Sequence, residues 1–447
     1  MSEPTFKTQL KNIALPVTIQ CLMQSSLSLI DQIMIGRLGS SAIAGIGLAG
    51  KFTSLFSVIV MAIVTAAGIL ISQYRGSKNE KGVNSSFFFL IYWSSLLVII
   101  FSLLSFFIPN QIMHLYSSDP ETIQQAAIYL KWRTIDYFPT VITLFISSLL
   151  RNMNCARLPA FAGISAIIAN TILNWLLIFG NGFFPRMEGA GAALATALSR
   201  IIEMLIVVFL FRREKHKQNF FLKPVFTFSK EFVQNALKIL IPILIGEALW
   251  SLGENMYAVI YGHLGTEPCA AMTLMYPIQG IAIGALCGVS SAAGIITGNA
   301  LGANKTDTAW SYALKFVKLT VISGISIGIL VSAISPLYTK LFSVPDETRI
   351  ITIKILLAFS AVFTAKVFNM VVGGGVLQSG GQTKFLTAIN IIGTWGFGVP
   401  AGFISAFIFN LPIWWVYLLL SLEEYVRLFI SILLLRSKKW MKNVAVD

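Results

Sequence analysis

Charged residues are scarce in this sequence. Only 12% of its 447 residues are charged, whereas 56% are hydrophobic. A soluble protein usually carries about 25% charged residues, so this chain has too few to cover a surface that faces water. Its outer surface must contact hydrocarbon, where only helices or closed barrels satisfy the backbone. The apolar runs are continuous over roughly 20 residues, which favours helices over the alternating strands of a barrel.

Residues suited to metal, redox or nucleotide chemistry are also few. The three histidines show no ligand spacing, and the four cysteines lack a CxxC pair. No phosphate-binding GxxxxGK[ST] loop is present, and the short outer loops hold no clustered catalytic set. We therefore expect no enzymatic activity, no metal and no cofactor. An ion gradient, rather than ATP, is the expected energy source for any work that the protein performs.

The hydrophobic segments number twelve, which predicts an all-α polytopic membrane protein. They lie roughly at 13–35, 43–72, 85–108, 124–149, 160–180, 189–211, 233–262, 268–299, 309–334, 349–377, 385–409 and 412–435.

The net charge of +14 raises the possibility of a nucleic-acid partner, but its distribution argues against one. Most lysines and arginines outside the segments lie in alternate loops, as the positive-inside rule predicts for cytoplasmic loops. The opposite loops carry only Arg37, Arg186, Lys340 and Arg349. Both termini are therefore expected to be cytoplasmic, and lipid rather than nucleic acid is the expected neighbour.

An internal repeat relates the two halves of the chain. With an offset of 226 residues, Pro16 falls on Pro242, Gly76 falls on Gly302, and Ala66-Ala67-Gly68-Ile69 falls on an identical run in the second half. Each copy holds six helices, so both insert in the same orientation and are related by a pseudo-twofold axis along the membrane normal. We predict two six-helix lobes, 1–211 and 233–447, joined by a cytoplasmic linker at 212–232. Such a pair needs no second chain, so we expect a monomer.

Six motifs stand out along the chain: LSLIDQIMIGRLGSSAIAGIGLA (27–49), NTILNWLLIFG (170–180), GAGAALATALSR (189–200), WSLGENMYAVIYGHLGTEPCAA (250–271), GGGVLQSGGQTKF (373–385) and TWGFGVP (394–400). Together they resemble motifs of the multidrug and toxic compound extrusion (MATE) family. This resemblance implies an exporter in the plasma (inner) membrane that expels small amphipathic, often cationic, organic compounds in exchange for inward H⁺ or Na⁺. The major facilitator family shares the six-plus-six plan, but its Asp-Arg-x-Gly-Arg loop is absent here.

The resemblance places a cation-coupling site in the first lobe. Asp31 stands where the family keeps its ion-coupling acid, although it could instead be an interfacial acid near the end of its helix. Asn170, Asn174 and Thr196 match positions that surround this acid; the two amides could also hydrogen-bond between helices. Some family members have a second acid at the position of Asn174. A single acid favours H⁺ over Na⁺, while both ions remain open.

Charged residues in the second lobe are further candidates because a charge within the bilayer is costly unless it is paired or hydrated. Glu247 and Glu254 are seven residues apart and hence face one side of the seventh segment. Lys366 lies in the tenth segment and requires a counter-ion. We expect it to pair with Glu247 or with Glu254, and these acids to have either a functional or a structural role.

Asp136 in the fourth segment either pairs with Lys131 or Arg133 or lines the substrate cavity. Arg200 with Glu203, and Glu423 with Arg427, have the spacing of intrahelical ion pairs. Aromatic side chains near the expected cavity could bind a cationic ring compound by stacking and cation–π contact, or they could pack against lipid. These are Trp250, Tyr257, Tyr276 and Trp395.

One alternative function is that of a flippase for a lipid-linked or lipid-like substrate. Such a protein should have additional helices and a strongly cationic cavity, whereas this sequence predicts twelve helices and several acids within the membrane.

Overall fold

The computed structural model describes residues 6–35, 40–117, 119–182, 184–217, 222–342 and 345–444. Within its helices, the side chains of 27–33, 35, 40–44, 216, 217, 266, 269 and 270 lie outside that description. Every regular element in the described part of the chain is a helix.

The helices are numbered in chain order. They are α1 (Phe6–Ile35), α2 (Ser40–Gly76), α3 (Glu80–Phe107), α4 (Pro109–His114), α5 (Pro120–Asn152), α6 (Arg157–Phe179), α7 (Glu188–Lys217), α8 (Lys230–Gly262), α9 (Thr266–Gly302), α10 (Thr306–Thr339), α11 (Asp346–Phe368), α12 (Thr383–Ile391), α13 (Val399–Phe403), α14 (Ile413–Ser421) and α15 (Glu423–Ser437). Three π-helical stretches extend them, at Asn369–Leu377, Ile392–Gly398 and Ile404–Ile408.

All twelve predicted segments fall on helices. The eleventh is α12 with α13 and their π-helical stretches, and the twelfth is the pair α14 and α15, which Leu422 separates. Nine helices of the described chain are long and apolar enough to cross a bilayer; α1, α5 and the α14–α15 pair account for the other three segments. The protein is thus an all-helical, polytopic membrane protein, as the sequence predicts.

Local chemistry explains several helix ends. Asp119 precedes Pro120 and accepts a hydrogen bond from the backbone N–H of Thr122 at 3.0 Å, which satisfies a free donor at the start of α5. Gly180 ends α6 with φ +71°, a left-handed conformation that glycine adopts without strain. The short helix α4 is stabilised by tertiary packing, because Ile112 and Met113 are buried in a hydrophobic cluster with α5.

Two compact units emerge from the internal packing of the chain. Unit 1 comprises Met1–Thr18, Ser72–Asn79 and Lys230–Asp447, and unit 2 comprises Ile19–Ile71 and Glu80–Ser229. The beginning of α1 and the last turns of α2 therefore pack with the second half of the chain. The predicted lobes 1–211 and 233–447, with their linker at 212–232, stay a prediction.

Within unit 1, the last turns of α2 pack closely against the end of α9. A Cβ atom at Gly76 would overlap the carbonyl group of Asn299, and one at Gly302 would overlap the carbonyl group of Gln73. Glycine is required at both positions because the two backbones approach so closely. These two glycines are also the pair that the internal repeat aligns.

The C-terminal tail, residues 438–444, is held against this helix crossing. Gln73 is fully buried, and its amide donates to the carbonyls of Ser379 at 2.6 Å and Lys442 at 3.1 Å. The carbonyl oxygen of the same amide accepts from the backbone N–H of Val444 at 2.5 Å. One side chain of α2 thus satisfies three backbone groups of the second half of the chain.

Candidate functional site

A cavity of about 550 Å³ lies within unit 1. Its wall is formed by α8, α9, α12, α15 and the end of α11 with its π-helical extension. The lining residues include Gly246, Glu247, Trp250, Glu254, Gln279, Lys366, Asn369, Gly373, Gly374, Gln378, Asn390, Glu424 and Arg427.

One face of α8 supplies the acidic side of this cavity. Glu247, Trp250 and Glu254 are spaced by three and four residues, which places them on one side of a helix. All three line the cavity, and neither glutamate forms an ion pair within 4.0 Å in the described part of the chain. The α8 face therefore presents two carboxylates beside an aromatic ring.

The wall of the cavity also holds an ion pair between α11 and α15. The Lys366 ammonium lies 3.3 Å from Oε1 of Glu424. The side-chain amide of Asn369 donates to the backbone carbonyl of Glu424 at 2.8 Å and to its Oε2 at 2.9 Å. Arg427 lies 3.8 Å from the same carboxylate. Glu424 is therefore fixed by two cationic groups and an amide.

This arrangement corrects the predicted partner of Lys366. The expected partner was Glu247 or Glu254, but the ion pair is with Glu424. The physical reason is desolvation: the Glu424 side chain is only 6% exposed, and an unpaired buried carboxylate is costly. Glu247 and Glu254 face an open cavity, so they need no ion pair.

A second acid of α15 completes this charge network. Oε1 of Glu423 accepts a hydrogen bond from Arg427 at 3.0 Å, which confirms the predicted intrahelical pair. Its other oxygen accepts from the Tyr257 hydroxyl at 2.5 Å, and Arg427 also donates to the Thr394 hydroxyl. The network of Lys366, Glu423, Glu424 and Arg427 contains two acids and two bases, so its formal charge is zero.

The other predicted intrahelical pairs are also present. Asp136 is 2% exposed and lies 3.0 Å from Arg133, which agrees with the pairing alternative. Arg200 lies 2.7 Å from Glu203. Both pairs connect residues three positions apart, a spacing that the sequence displays directly.

Two of the predicted first-lobe residues line a smaller cavity of about 190 Å³ in unit 2. Asn170 and Thr196 line it, together with Gln20, Arg200 and Glu203. Asn174 is buried on the same helix and donates to the side chain of Asn170 at 3.3 Å. The Thr196 hydroxyl donates to the carbonyl of Ala192 in its own helix at 2.9 Å. Asp31 falls in α1, but its side chain lies outside the described residues.

The predicted aromatic residues do not share one site. Trp250 lines the large cavity, and Tyr257 and Tyr276 line a smaller pocket of about 50 Å³ beside it, which Glu254 and Lys366 also line. Trp395 donates from its indole N–H to the carbonyl of Leu249 at 3.0 Å, which ties it to α8.

Sequence reasoning did not single out Glu424, Asn369, Gln378 or Asn390. A signal for Glu424 exists, since it stands three residues before Arg427 in an apolar segment. Glu423 stands four residues before the same arginine, so helical spacing suits either glutamate and does not select Glu424. Nothing local distinguishes the three amides, which become lining residues only through packing.

Comparisons with known proteins agree with this fold. The MatE family model matches residues 16–176 and 242–404, well over half of the chain. "Uncharacterized transporter YisQ" of Bacillus subtilis (strain 168) is 22% identical, over 99% of this chain and 97% of its own. "Probable multidrug resistance protein NorM" of Thermotoga maritima is 24% identical, over 99% of this chain and 95% of its own.

Solved structures are similar over almost the whole chain. "Crystal structure of MATE in the straight conformation" matches with a TM-score of 0.87 and 18% identity, over 97% of this chain and 98% of that one. "Outward-facing conformation of a multidrug resistance MATE family transporter of the MOP superfamily" matches with a TM-score of 0.85 and 17% identity, over 96% of each chain. At this level of identity the likeness shows the fold.

Proposed function

Because the chain belongs to the MatE, or multidrug and toxic compound extrusion, family, we propose that it is a cation-coupled antiporter. It exports amphipathic, often cationic, organic compounds in exchange for inward H⁺ or Na⁺, by alternating access of its two lobes. It does so as a monomer in the plasma (inner) membrane, with both termini in the cytoplasm. The names of relatives that describe multidrug resistance support the substrate class.

The observation that carries this proposal is the acidic face of α8 in the large cavity. Glu247 and Glu254 make no ion pair in the described part of the chain, and Trp250 lies between them. Carboxylates attract a cation, and an indole ring binds one by cation–π contact. A volume of about 550 Å³ falls within the ~300–1,000 Å³ of cavities that hold drug-sized molecules.

We propose that Asp31 couples export to the ion gradient, with Asn170, Asn174 and Thr196 around it. A carboxylate with amide and hydroxyl neighbours can take up a proton or bind Na⁺. Glu203 lines the same cavity as Asn170 and Thr196, but Arg200 neutralises it. Asp31 therefore acts as a single acid, which favours H⁺.

The charge of the large cavity disfavours the flippase alternative. Three carboxylates line it, from Glu247, Glu254 and Glu424, against two basic groups, from Lys366 and Arg427. The lining groups therefore sum to −1, and Glu423, which pairs with Arg427 without lining the cavity, brings the local charge to −2. Binding a phosphorylated lipid instead requires an excess of basic groups.

The test is ethidium efflux from preloaded cells under an imposed pH gradient or an imposed Na⁺ gradient. We expect wild type to pump with one of these gradients, Asp31→Asn to lose coupled efflux, and the double variant Glu247→Gln with Glu254→Gln to lose ethidium efflux because the cation no longer binds. Glu231→Gln is the matched control because Glu231 is an exposed acid on the same helix α8, outside the cavity. If Asp31→Asn pumps like wild type at equal expression, another residue couples. Wild-type protein that moves no organic cation under either gradient would refute the exporter assignment.

A further inference from the structure

The charge network on α11 and α15 contains a cation inside the cavity that the proposed function does not use. Lys366 is 28% exposed and lines the same cavity as Glu247 and Glu254. A positive charge in a site for organic cations opposes their binding, since like charges repel. Its presence therefore requires a physical explanation.

Resting on the proposed function, we infer that Lys366 sets the charge of the cargo by lowering the negative charge of the cavity by one. The ion pair with Glu424 holds the ammonium away from the α8 carboxylates, which stay available to a monovalent organic cation. Lys366 is thus a specificity-determining residue for monocations over dications, and Glu424 is the residue that positions it.

The geometry around Glu424 fixes the lysine on its side of the cavity. Asn369 donates two hydrogen bonds to Glu424, and Arg427 supports the same carboxylate at 3.8 Å. The acceptor for the ammonium is therefore rigid. Glu254 lines a second pocket together with Lys366, but it is not within ion-pair distance in the described part of the chain. If Glu424 lost its charge, Glu254 would be a cavity carboxylate to which this long, flexible side chain could turn.

Neutralising Lys366 and neutralising Glu424 should have opposite effects on cation binding, although both break the same ion pair. Lys366→Gln removes the opposing charge while Arg427 and Asn369 still satisfy Glu424, so cations should bind more tightly. Glu424→Gln keeps the shape but frees the ammonium to pair with Glu254, so cations should bind more weakly. If the ion pair had only a structural role, both variants should bind cations more weakly.

Charge also fixes the relative size of the effects. Coulomb energy is proportional to the charge of the ligand, so the factor gained by a dication should be about the square of that gained by a monocation. We expect Lys366→Gln to tighten binding of tetraphenylphosphonium about tenfold and of methyl viologen about a hundredfold. Glu424→Gln should weaken tetraphenylphosphonium binding about tenfold.

The experiment is equilibrium binding of these two probes to purified full-length protein in nanodiscs of zwitterionic lipid. Lys366→Arg keeps the charge and should bind like wild type. Lys354→Gln is the matched control on α11, because its ammonium lies over the ring of Trp414, 4.0 Å from its centroid, and does not line the cavity. Lys366→Met is a second neutral variant in case the glutamine variant does not fold, as judged by gel filtration.

If wild type binds tetraphenylphosphonium, any of three results would overturn the inference. The first is weaker binding in both Lys366→Gln and Glu424→Gln, and the second is no change in either variant. The third is an equal change in affinity for the two probes in Lys366→Gln. If neither wild type nor Lys366→Gln binds either probe, the cavity is not a site for cations. The inference would then fall together with the proposed function. Binding by Lys366→Gln but not by wild type supports the inference.

Discussion

The three consecutive glycines of the π-helical stretch Asn369–Leu377 provide a sharp test of the packing. A Cβ atom at Gly375 would lie 2.8 Å from the carbonyl oxygen of Ser290 and 2.8 Å from Cβ of Ala293, both on α9. A Cβ atom at Gly373 would have no atom within 4 Å, because that position faces the cavity. The same substitution should therefore have opposite effects at two positions that are two residues apart.

The magnitudes follow from contact distances and helix propensity. Carbon atoms pack best at about 3.5 Å, so at Gly375 the two backbones must separate, and such overpacking costs about 1–3 kcal/mol. Gly375→Ala should lower the free energy of unfolding by roughly that amount, less the helix-propensity gain. Gly373→Ala should raise the free energy of unfolding by the helix-propensity gain alone, which is at most about 1 kcal/mol.

Thermal unfolding of the purified variants in one detergent, followed by tryptophan fluorescence, measures this difference. We expect the unfolding temperature of Gly375→Ala to fall by several degrees and that of Gly373→Ala to stay equal or rise. Gly262→Ala, at the end of α8 with open space around its Cβ position, is a control for the general effect of replacing a helical glycine. Equal losses at 373 and 375 would mean that the π-helical backbone itself requires glycine, which refutes the packing argument.

Other predictions concern single polar groups. Gln73→Leu leaves three backbone groups unpaired beneath the C-terminal tail, at about 1–3 kcal/mol for each group that water cannot reach, so carboxypeptidase should release the tail faster than from wild type. Arg427→Met leaves two buried carboxylates without their arginine and should cost about 3–5 kcal/mol; Arg349→Met, whose partner Asp346 is 87% exposed, should change stability by less than about 1 kcal/mol. Hydrogen bonds from the hydroxyl and N–H of Thr122 lower the pKa of Asp119, so this carboxylate stabilises the folded state above its ordinary pKa of about 3.9. The difference in unfolding temperature between wild type and Asp119→Ala should be full at pH 6 and disappear as the pH falls through the lowered pKa.

The sequence predicts the helices of this protein well because burial in a bilayer is a local requirement. Each spanning segment must be apolar along its own length, so the composition of a window is sufficient to find it. The short helix α4 was missed because its six residues span no membrane. It is stabilised by the packing of Ile112 and Met113 onto α5, a contact that no window of sequence displays.

The ion pairs show the same difference. Pairs within one helix can be predicted from residue spacing, whereas a pair between two helices depends on tertiary packing. Arg200 with Glu203 lies on one helix and was predicted from spacing alone, and Arg133 was one of the partners that spacing offered to Asp136. Lys366 pairs with a glutamate 58 residues further along the chain, and only the packing of α15 beside α11 brings them together. The predicted partners on α8 were reasonable in charge and wrong in position.

Several exceptions to local rules line the large cavity. They are two glutamates without an ion pair in the described part of the chain, a π-helical stretch, and Gly373, where a Cβ would meet no atom. Each feature is unfavourable for stability: glycine weakens a helix by about 1 kcal/mol, and π-helical turns are rare outside functional sites. A membrane protein selected only for stability would fill this space with apolar side chains. The accumulation of such features in one cavity therefore argues that binding, rather than packing, determines the residues of its wall.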